Sequence, residues 1–502
     1  MIQKLSNYLV NIFLVLLGTI SLIGAVTELA VMQNKLSVTK NILFTSLVLV
    51  IVCIFIFRKQ VKNLVELCCA SKYIFNVIFL VIFCGLIFYQ LNMIQALTGI
   101  MEFDPAFIYS LILHKPIVGS SYFSWYPNLL LLLNIENVVY HLLDNPNIYF
   151  FLKSLNVINL FLIDAGLMLI FLTVKKQLNK KYAFITLLMA ILIFGLTPYI
   201  AIPYSDNWAF FLMSIYIFLL STIYNKKQFH FNIIPIIFIG IDSALLYKMK
   251  PSTIIVLIAT IVVLFVTILS KGKQYLNFQN IKKQLLILFL FIMPFLLTIS
   301  TCDYFVDNNN LIKIEKNSSA GPLHFMAMGL HGDGGYWWDF NSKDESLPPK
   351  DRKGYEIKVI KKDIRDFGTL NNFINFLIKK QQKNSSLGSW QRETGPVTWN
   401  LSPKLRVKNH FQSLLRKLFV QNEYFQWNGA LVFIQIFWVF VIAFMILSYR
   451  CSNSFAQLLK YTVVGGYLFL LLFEGGTSRY MIQYLPVVLV LSSYGMKKIF
   501  SK

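Results

Sequence analysis

The chain has 502 residues, of which 56% are hydrophobic and 16% aromatic, and it carries a formal net charge of +23. With a mean hydropathy of +0.61, this composition excludes a water-soluble globular domain and demands lipid as part of the solvent. A basic excess of this size suits either nucleic acid or an anionic membrane surface, and its placement along the chain decides between them.

Apolar runs of about 17 to 25 residues, enough to cross a hydrocarbon core of roughly 30 Å as helices, recur along the chain. They begin near Tyr8, Asn41, Tyr73, Ser154, Tyr182, Asn207, Phe231, Pro251, Gln284, Asn428, Tyr461 and Met481. The expected fold is an all-α polytopic membrane protein with about twelve transmembrane helices. The first run follows Lys4 and lacks a small-residue cleavage site, so it reads as a retained helix rather than a signal peptide. If that helix runs outward, the short inner loops and the two terminal segments hold twenty Lys/Arg, and the short outer segments hold seven. That asymmetry predicts both termini in the cytoplasm. Most of the basicity is thus topogenic, and no nucleic-acid partner is needed. The abundance of Lys, Asn, Ile and Phe fits the AT-rich codon usage of a low-GC bacterium, which points to the bacterial plasma membrane.

The expected organisation is an N-terminal transmembrane bundle over 1–300, an extracytoplasmic module over 301–427, and C-terminal transmembrane helices over 428–502. A large outer loop, 96–153, interrupts the first bundle. In it, Pro105 to Leu113 and Tyr126 to Leu133 are apolar but too short to span, and they read as interfacial helices. Tyr122, Trp125 and Tyr126 are aromatics of the kind found at headgroup depth. The module carries turn chemistry at Gly332-Asp333-Gly334-Gly335 and Pro348-Pro349. Apolar residues spaced by three and four over Ile357 to Lys380 predict one or two amphipathic helices, so the module is expected to be small and α-rich. Of the six cysteines only Cys302 belongs to this region, which excludes an intradomain disulfide.

Carboxylates and cations gather at the expected outer rim. Glu102 and Asp104 precede Pro105 at a helix start, where an acidic cap is the plain explanation and a general base for an acceptor hydroxyl the functional one. Asp206 lies on a short outer turn, where it reads as an N-cap or as a second acid facing the same cavity. Two such acids position an acceptor or, less favourably, a divalent cation. Lys248 and Lys250 stand outside at a span junction; they either snorkel or pair with a lipid phosphate. Arg479 offers a bidentate guanidinium for the same task, with Glu474 placed to orient it. Asp164 and Asp242 fall within spans, where an unpaired carboxylate is costly, and Asp242 is the nearer to the outer end. His324, His331 and Asp333 match no established metal spacing and read as solvated loop residues. No cofactor is implied.

These motifs, in this order, resemble the bacterial integral-membrane glycosyltransferases of the GT-C superfamily, and among them the mannosyltransferase-like members common in Gram-positive bacteria. The resemblance rests on Phe103-Asp104-Pro105, then Trp125-Tyr126-Pro127-Asn128, Tyr204-Ser205-Asp206, Lys250-Pro251, the Gly-rich stretch Met328 to Tyr336, and Glu474 with Ser478-Arg479-Tyr480. Leu129 stands where a second Asn is frequent, and the acidic loop follows the third expected span rather than the first. The resemblance implies that Asp104 is the catalytic base and that Lys250 and Arg479 lie near the phosphate of the donor. The implied reaction moves one monosaccharide from a polyprenyl-phosphate donor to a cell-envelope glycopolymer, lipid or protein on the outer face, with inversion. Two other activities fit a polytopic chain with a large outer loop. A polysaccharide polymerase or ligase would depend on Arg352, Arg365 or Arg392, and a lipid-linked sugar transporter or flippase would bind at the bilayer midplane, where Asp164 falls.

Overall fold

The computed structural model describes residues 2–34, 45–46, 48–49, 56–99, 103–225, 228–229, 232–271, 278–308, 310–315, 317–390, 407–419 and 429–500. The first bundle opens with α1 (Ile2–Asn34), α2 (Arg58–Ala70) and α3 (Lys72–Leu97). Short helices α4 (Phe103–Ile112), α5 (Ser120–Trp125) and α6 (Leu130–Leu142) follow, and the chain re-enters the bundle with α7 (Ile148–Gln177), α8 (Lys180–Ala190) and α9 (Ser205–Ile223). Next come α10 (Ile233–Met249), α11 (Ile254–Lys271) and α12 (Phe278–Asp307). The module contributes α13 (Pro322–Leu330), α14 (Trp338–Ser346), α15 (Pro349–Asp366), α16 (Leu370–Ser385) and α17 (His410–Phe419). The chain ends with α18 (Gly429–Leu447), α19 (Ser454–Leu472) and α20 (Leu485–Phe500). A two-residue antiparallel pairing, Tyr224-Asn225 with Gln228-Phe229, turns the chain after α9.

The all-α polytopic expectation holds. Among the described residues, eight helices are long and apolar enough to cross a membrane: α1, α3, α7, α9, α11, α12, α18 and α19. Three other expected spans form shorter helices, α8, α10 and α20, of 11, 17 and 16 residues. In α8 the α-helical hydrogen bonding gives way to a π turn over Ile191–Gly195, so the run is interrupted rather than absent. The run expected near Asn41 lies largely outside the described residues. Several helices start on an Asn or Ser cap, as where Asn453 accepts from the Ala456 N–H at 2.6 Å and Asn147 from the Phe150 N–H at 3.1 Å.

Helix α20 forms the centre. Every residue from Leu485 to Met496 is buried, as expected of a helix that is apolar all round. Its Gly495 lies against the Phe444 carbonyl of α18, where a Cβ would overlap the oxygen, so only glycine permits this approach. At the periphery α12 turns Leu285, Leu288, Phe289, Leu296 and Leu297 outward, the face a lipid-contacting helix presents.

The expected module divides into two parts. Helices α13 to α15 share a small core of Ala327, Met328, Leu330, Phe340 and Ile360, against which Phe373 and Phe376 of α16 pack. The expected amphipathic region is two helices, because the chain turns at Gly368, whose φ of +67° is in the left-handed region. The end of α16 and the segment after it thread into the membrane bundle. There the Trp438 Nε1–H donates to the Ser385 carbonyl at 2.9 Å, and Gln435 donates to the Ser386 carbonyl at 2.7 Å and accepts from the Gly388 N–H at 2.8 Å. Irregular backbone at this depth requires such partners, since no water supplies them.

Lys380 of α16 is 1% exposed and fastens the module to the bundle. Its ammonium donates to the carbonyls of Gly329 (2.5 Å), Phe473 (2.7 Å) and Leu471 (3.1 Å). Replacing Lys380 by Met leaves these buried acceptors without their donor, which costs about 1–3 kcal/mol. The expected outcome is a lower melting temperature in detergent and faster proteolysis within 317–390; an unchanged melting curve contradicts this role.

Candidate functional site

The site forms at the bundle end that carries α4 to α6 and the module. Phe103, with φ of +58°, turns the chain into α4, and Asp104 falls in the first helical turn, where free N–H groups favour an acid. Both carboxylate oxygens are held by phenols: Tyr122 donates to Oδ1 and Tyr204 to Oδ2. Burial first, and then the charge of Asp104, raise both phenols far above their usual range, so they remain protonated donors. Tyr204 is 6% exposed and fixed, whereas Tyr122 is half-buried.

Beyond Tyr204 the site continues into a cationic group. The Arg479 guanidinium lies 5.2 Å from the Tyr204 ring centre and 5.5 Å from that of Tyr480. Its Nε is 3.7 Å from Asp206 Oδ2, and Lys250 Nζ bonds Asp206 Oδ1. Asp206 is 0% exposed in the first turn of α9. Asp104, Tyr204, Arg479, Asp206 and Lys250 therefore form one contiguous chain of side chains, drawn from four well-separated segments. Glu474 adjoins it through the Tyr480 hydroxyl, which donates at 3.0 Å. Burial pushes the Glu474 carboxyl above the ordinary carboxylate range.

A roof of loop and module closes over these groups. The Trp125 indole N–H and the Tyr126 hydroxyl both donate to Asn341 Oδ1 of α14, at 3.1 and 2.7 Å. The Glu315 N–H donates to Ser124 Oγ and the Ala320 N–H to the Trp125 carbonyl, each at 3.0 Å. Gly334 accepts from the Gly475 N–H at 2.9 Å, which brings the Gly-rich stretch against the turn between α19 and Arg479. Gly334 and Gly476 have φ of +82° and +74°, which favours glycine at both; a Cβ at Gly476 would also press on the Gly335 backbone, and one at Gly334 on the Lys380 side chain.

Some residues singled out in the sequence stand elsewhere. Lys248 is the correction: it pairs with Asp303 of α12 instead of joining Lys250. The reason is local, because α10 ends at Met249 and Lys250 is extended at φ −154°, ψ 97°, so the two side chains diverge. Glu474 holds Tyr480 rather than orienting Arg479. Asp206, enclosed between two cations, is placed as an anchor for them and not as a second exposed acid. Asp242 is buried inside α10, seven residues or about 10.5 Å of helix before its end. Asn128 is half-buried in the turn Pro127–Leu129, and Glu102 lies outside the described residues. Asp164 is bonded by Gln90 at 2.9 Å within the bundle. His324 is fully buried in the module, contrary to its reading as a solvated loop residue. Sequence reasoning missed Asn341 and Lys380, which no local motif marks.

The fold and the cluster define a polytopic integral membrane protein with a polar site enclosed at one end. The chain belongs to the family described as conserved hypothetical integral membrane protein, whose model matches residues 1–500. Comparison with curated proteins finds no match, and comparison with solved structures finds none.

The enclosed ion group gives a direct test of the geometry. Asp206→Leu leaves Lys250 and Arg479 buried without their counter-charge, for a loss of about 3–5 kcal/mol. Adding Lys250→Met should recover part of that loss. Thermal melting of the single and double variants in detergent measures this, and a double variant less stable than the sum of the singles contradicts the pairing.

Proposed function

We propose that this chain is a membrane glycosyltransferase of the GT-C kind. It moves one monosaccharide from a polyprenyl-phosphate donor to a cell-envelope acceptor, with inversion at the anomeric carbon. The observation that carries the reading is the continuity of Asp104 with the Arg479–Asp206–Lys250 group through the Tyr204 ring. A transfer of this class needs a base for the acceptor and cations for the departing phosphate, a few ångströms apart in a site shielded from bulk water.

In the proposed step the acceptor hydroxyl replaces Tyr122 at Asp104 Oδ1, while Tyr204 keeps Oδ2 and so fixes the carboxylate. The acceptor oxygen bonds to the anomeric carbon as its proton passes to Asp104. The bond from that carbon to the phosphate oxygen breaks, and its electron pair leaves with the lipid phosphate. Lys250 and Arg479 stabilise the growing charge there, and Asp206 keeps both cations aimed. The excess of Lys and Arg in the loops at the opposite end supports placing this end on the outer face of the bacterial plasma membrane, with both termini cytoplasmic. The polymerase reading is weakened by Arg352, which donates from Nε, Nη1 and Nη2 to the carbonyls of Leu347, Ser318 and Glu345.

Purified protein in detergent, given a labelled polyprenyl-phosphate sugar and an envelope extract as acceptor, tests the reading. Asp104→Asn, expressed at wild-type level, should lower transfer by about a hundredfold or more. Tyr204→Phe should lower it by about tenfold through lost positioning, and Tyr122→Phe by less. Normal transfer by Asp104→Asn overturns the proposal, and turnover in detergent, where no compartments exist, excludes pure transport.

A further inference from the structure

We propose that His324, Asp344 and Glu356 form a binding site for one divalent transition-metal ion, Zn²⁺ or Mn²⁺, inside the module. The residues come from three consecutive helices, α13, α14 and α15, and each offers one ligand atom within 4.8 Å of the other two. They are 0%, 0% and 6% exposed. His324 Nδ1 is 2.7 Å from Asp344 Oδ2. The other two atoms of that pair, His324 Nε2 and Asp344 Oδ1, are buried without a hydrogen-bond partner. Unpartnered buried polar atoms are uncommon in folded proteins and call for a ligand or a structural reason.

Charge supplies the second argument. Two carboxyl groups and an imidazole meet in a pocket walled by aromatic rings, and burial together with Asp344 beside it raises the Glu356 carboxyl above its ordinary range. Trp125 sets its edge to the His324 ring at 5.1 Å, and Phe340 stacks on that ring at 5.1 Å. Arg352, the nearby cation, donates three N–H groups to backbone carbonyls and lays its face on Trp125, and its influence on Glu356 is through charge alone. A dication coordinated by both acids would stabilise their ionised forms in place.

Ligand chemistry narrows the ion. An imidazole with two carboxylates suits Zn²⁺ and Mn²⁺, and three protein donors leave a coordination position for water. Zinc ligands at about 2.0–2.2 Å from the ion stand about 3.3 Å from one another, between the 2.7 Å of the His324–Asp344 contact and the 4.8 Å that bounds the three ligand atoms. The site is distinct from the Asp104 cluster and does not depend on the transferase reading. It lies directly behind the roof, since Trp125 contacts His324 and Asn341 sits in the same helix as Asp344. Metal binding would lock α13, α14 and α15 together and stiffen the wall that holds Tyr126.

The full chain, without a polyhistidine tag, should be stripped with EDTA, desalted, incubated with one equivalent of Zn²⁺ or Mn²⁺, desalted again and analysed by plasma mass spectrometry. Wild type is expected to retain one ion per chain and to melt at a higher temperature than the stripped protein. Glu356→Gln, which keeps the shape of the least buried ligand, should retain less than a tenth as much and show no melting shift, and Asp344→Asn should do the same. His331→Gln, in the same module but facing Asp363, should behave as wild type. Retention of neither ion by wild type overturns the proposal, and so does equal retention by folded Glu356→Gln.

Discussion

The enclosure of Asp206 between Lys250 and Arg479 is the constraint on which the site end rests. A carboxylate removed from water at the start of a membrane helix is costly unless cations reach it, and here they come from the α10–α11 junction and from the turn before α20. The first turn of α9 adds its free N–H groups on the same side. Satisfying that charge fixes three segments relative to one another, and Tyr204, two residues before Asp206, is then held where its hydroxyl meets Asp104.

The roof and the membrane bundle form one assembly. Asn341 gathers Trp125 and Tyr126, Ser124 and Trp125 pin the start of the module, and Lys380 binds carbonyls on both sides of the junction. Deeper in the bundle, Gln435 and Trp438 of α18 satisfy the chain that leaves α16. Each of these bonds joins groups that would otherwise be polar and dry, so the module is held by obligation as much as by apolar contact. Such enclosure restricts water, as the proposed chemistry between a lipid-borne donor and an envelope acceptor requires.

Much of this was legible in the sequence because hydrophobic length and charge placement are local signals. The spans around Tyr8, Tyr73, Ser154, Asn207 and Gln284 became membrane-length helices, and the acids and cations near Pro105, Pro203 and Pro251 converged at one end. The divergence of Lys248 from Lys250 was not legible. It depends on the residue at which α10 stops, and helix ends are set by tertiary packing as well as by sequence. Nor was the environment of His324, whose burial arises from helices α14 and α15 folding over it. Lys380 read as one more basic residue on an amphipathic helix, because its three carbonyl partners come from segments distant in the chain.

Central to the account is the proposal that Lys250 and Arg479 receive a lipid-borne phosphate beside Asp104. Native mass spectrometry of the detergent-solubilised protein with equal amounts of a polyprenyl phosphate and the matching uncharged polyprenol measures this most directly. The account predicts preferential retention of the phosphate by wild type, and loss of that preference in Arg479→Met with the polyprenol signal unchanged. Equal retention of the two lipids by wild type, or an undiminished phosphate preference in Arg479→Met, would contradict it.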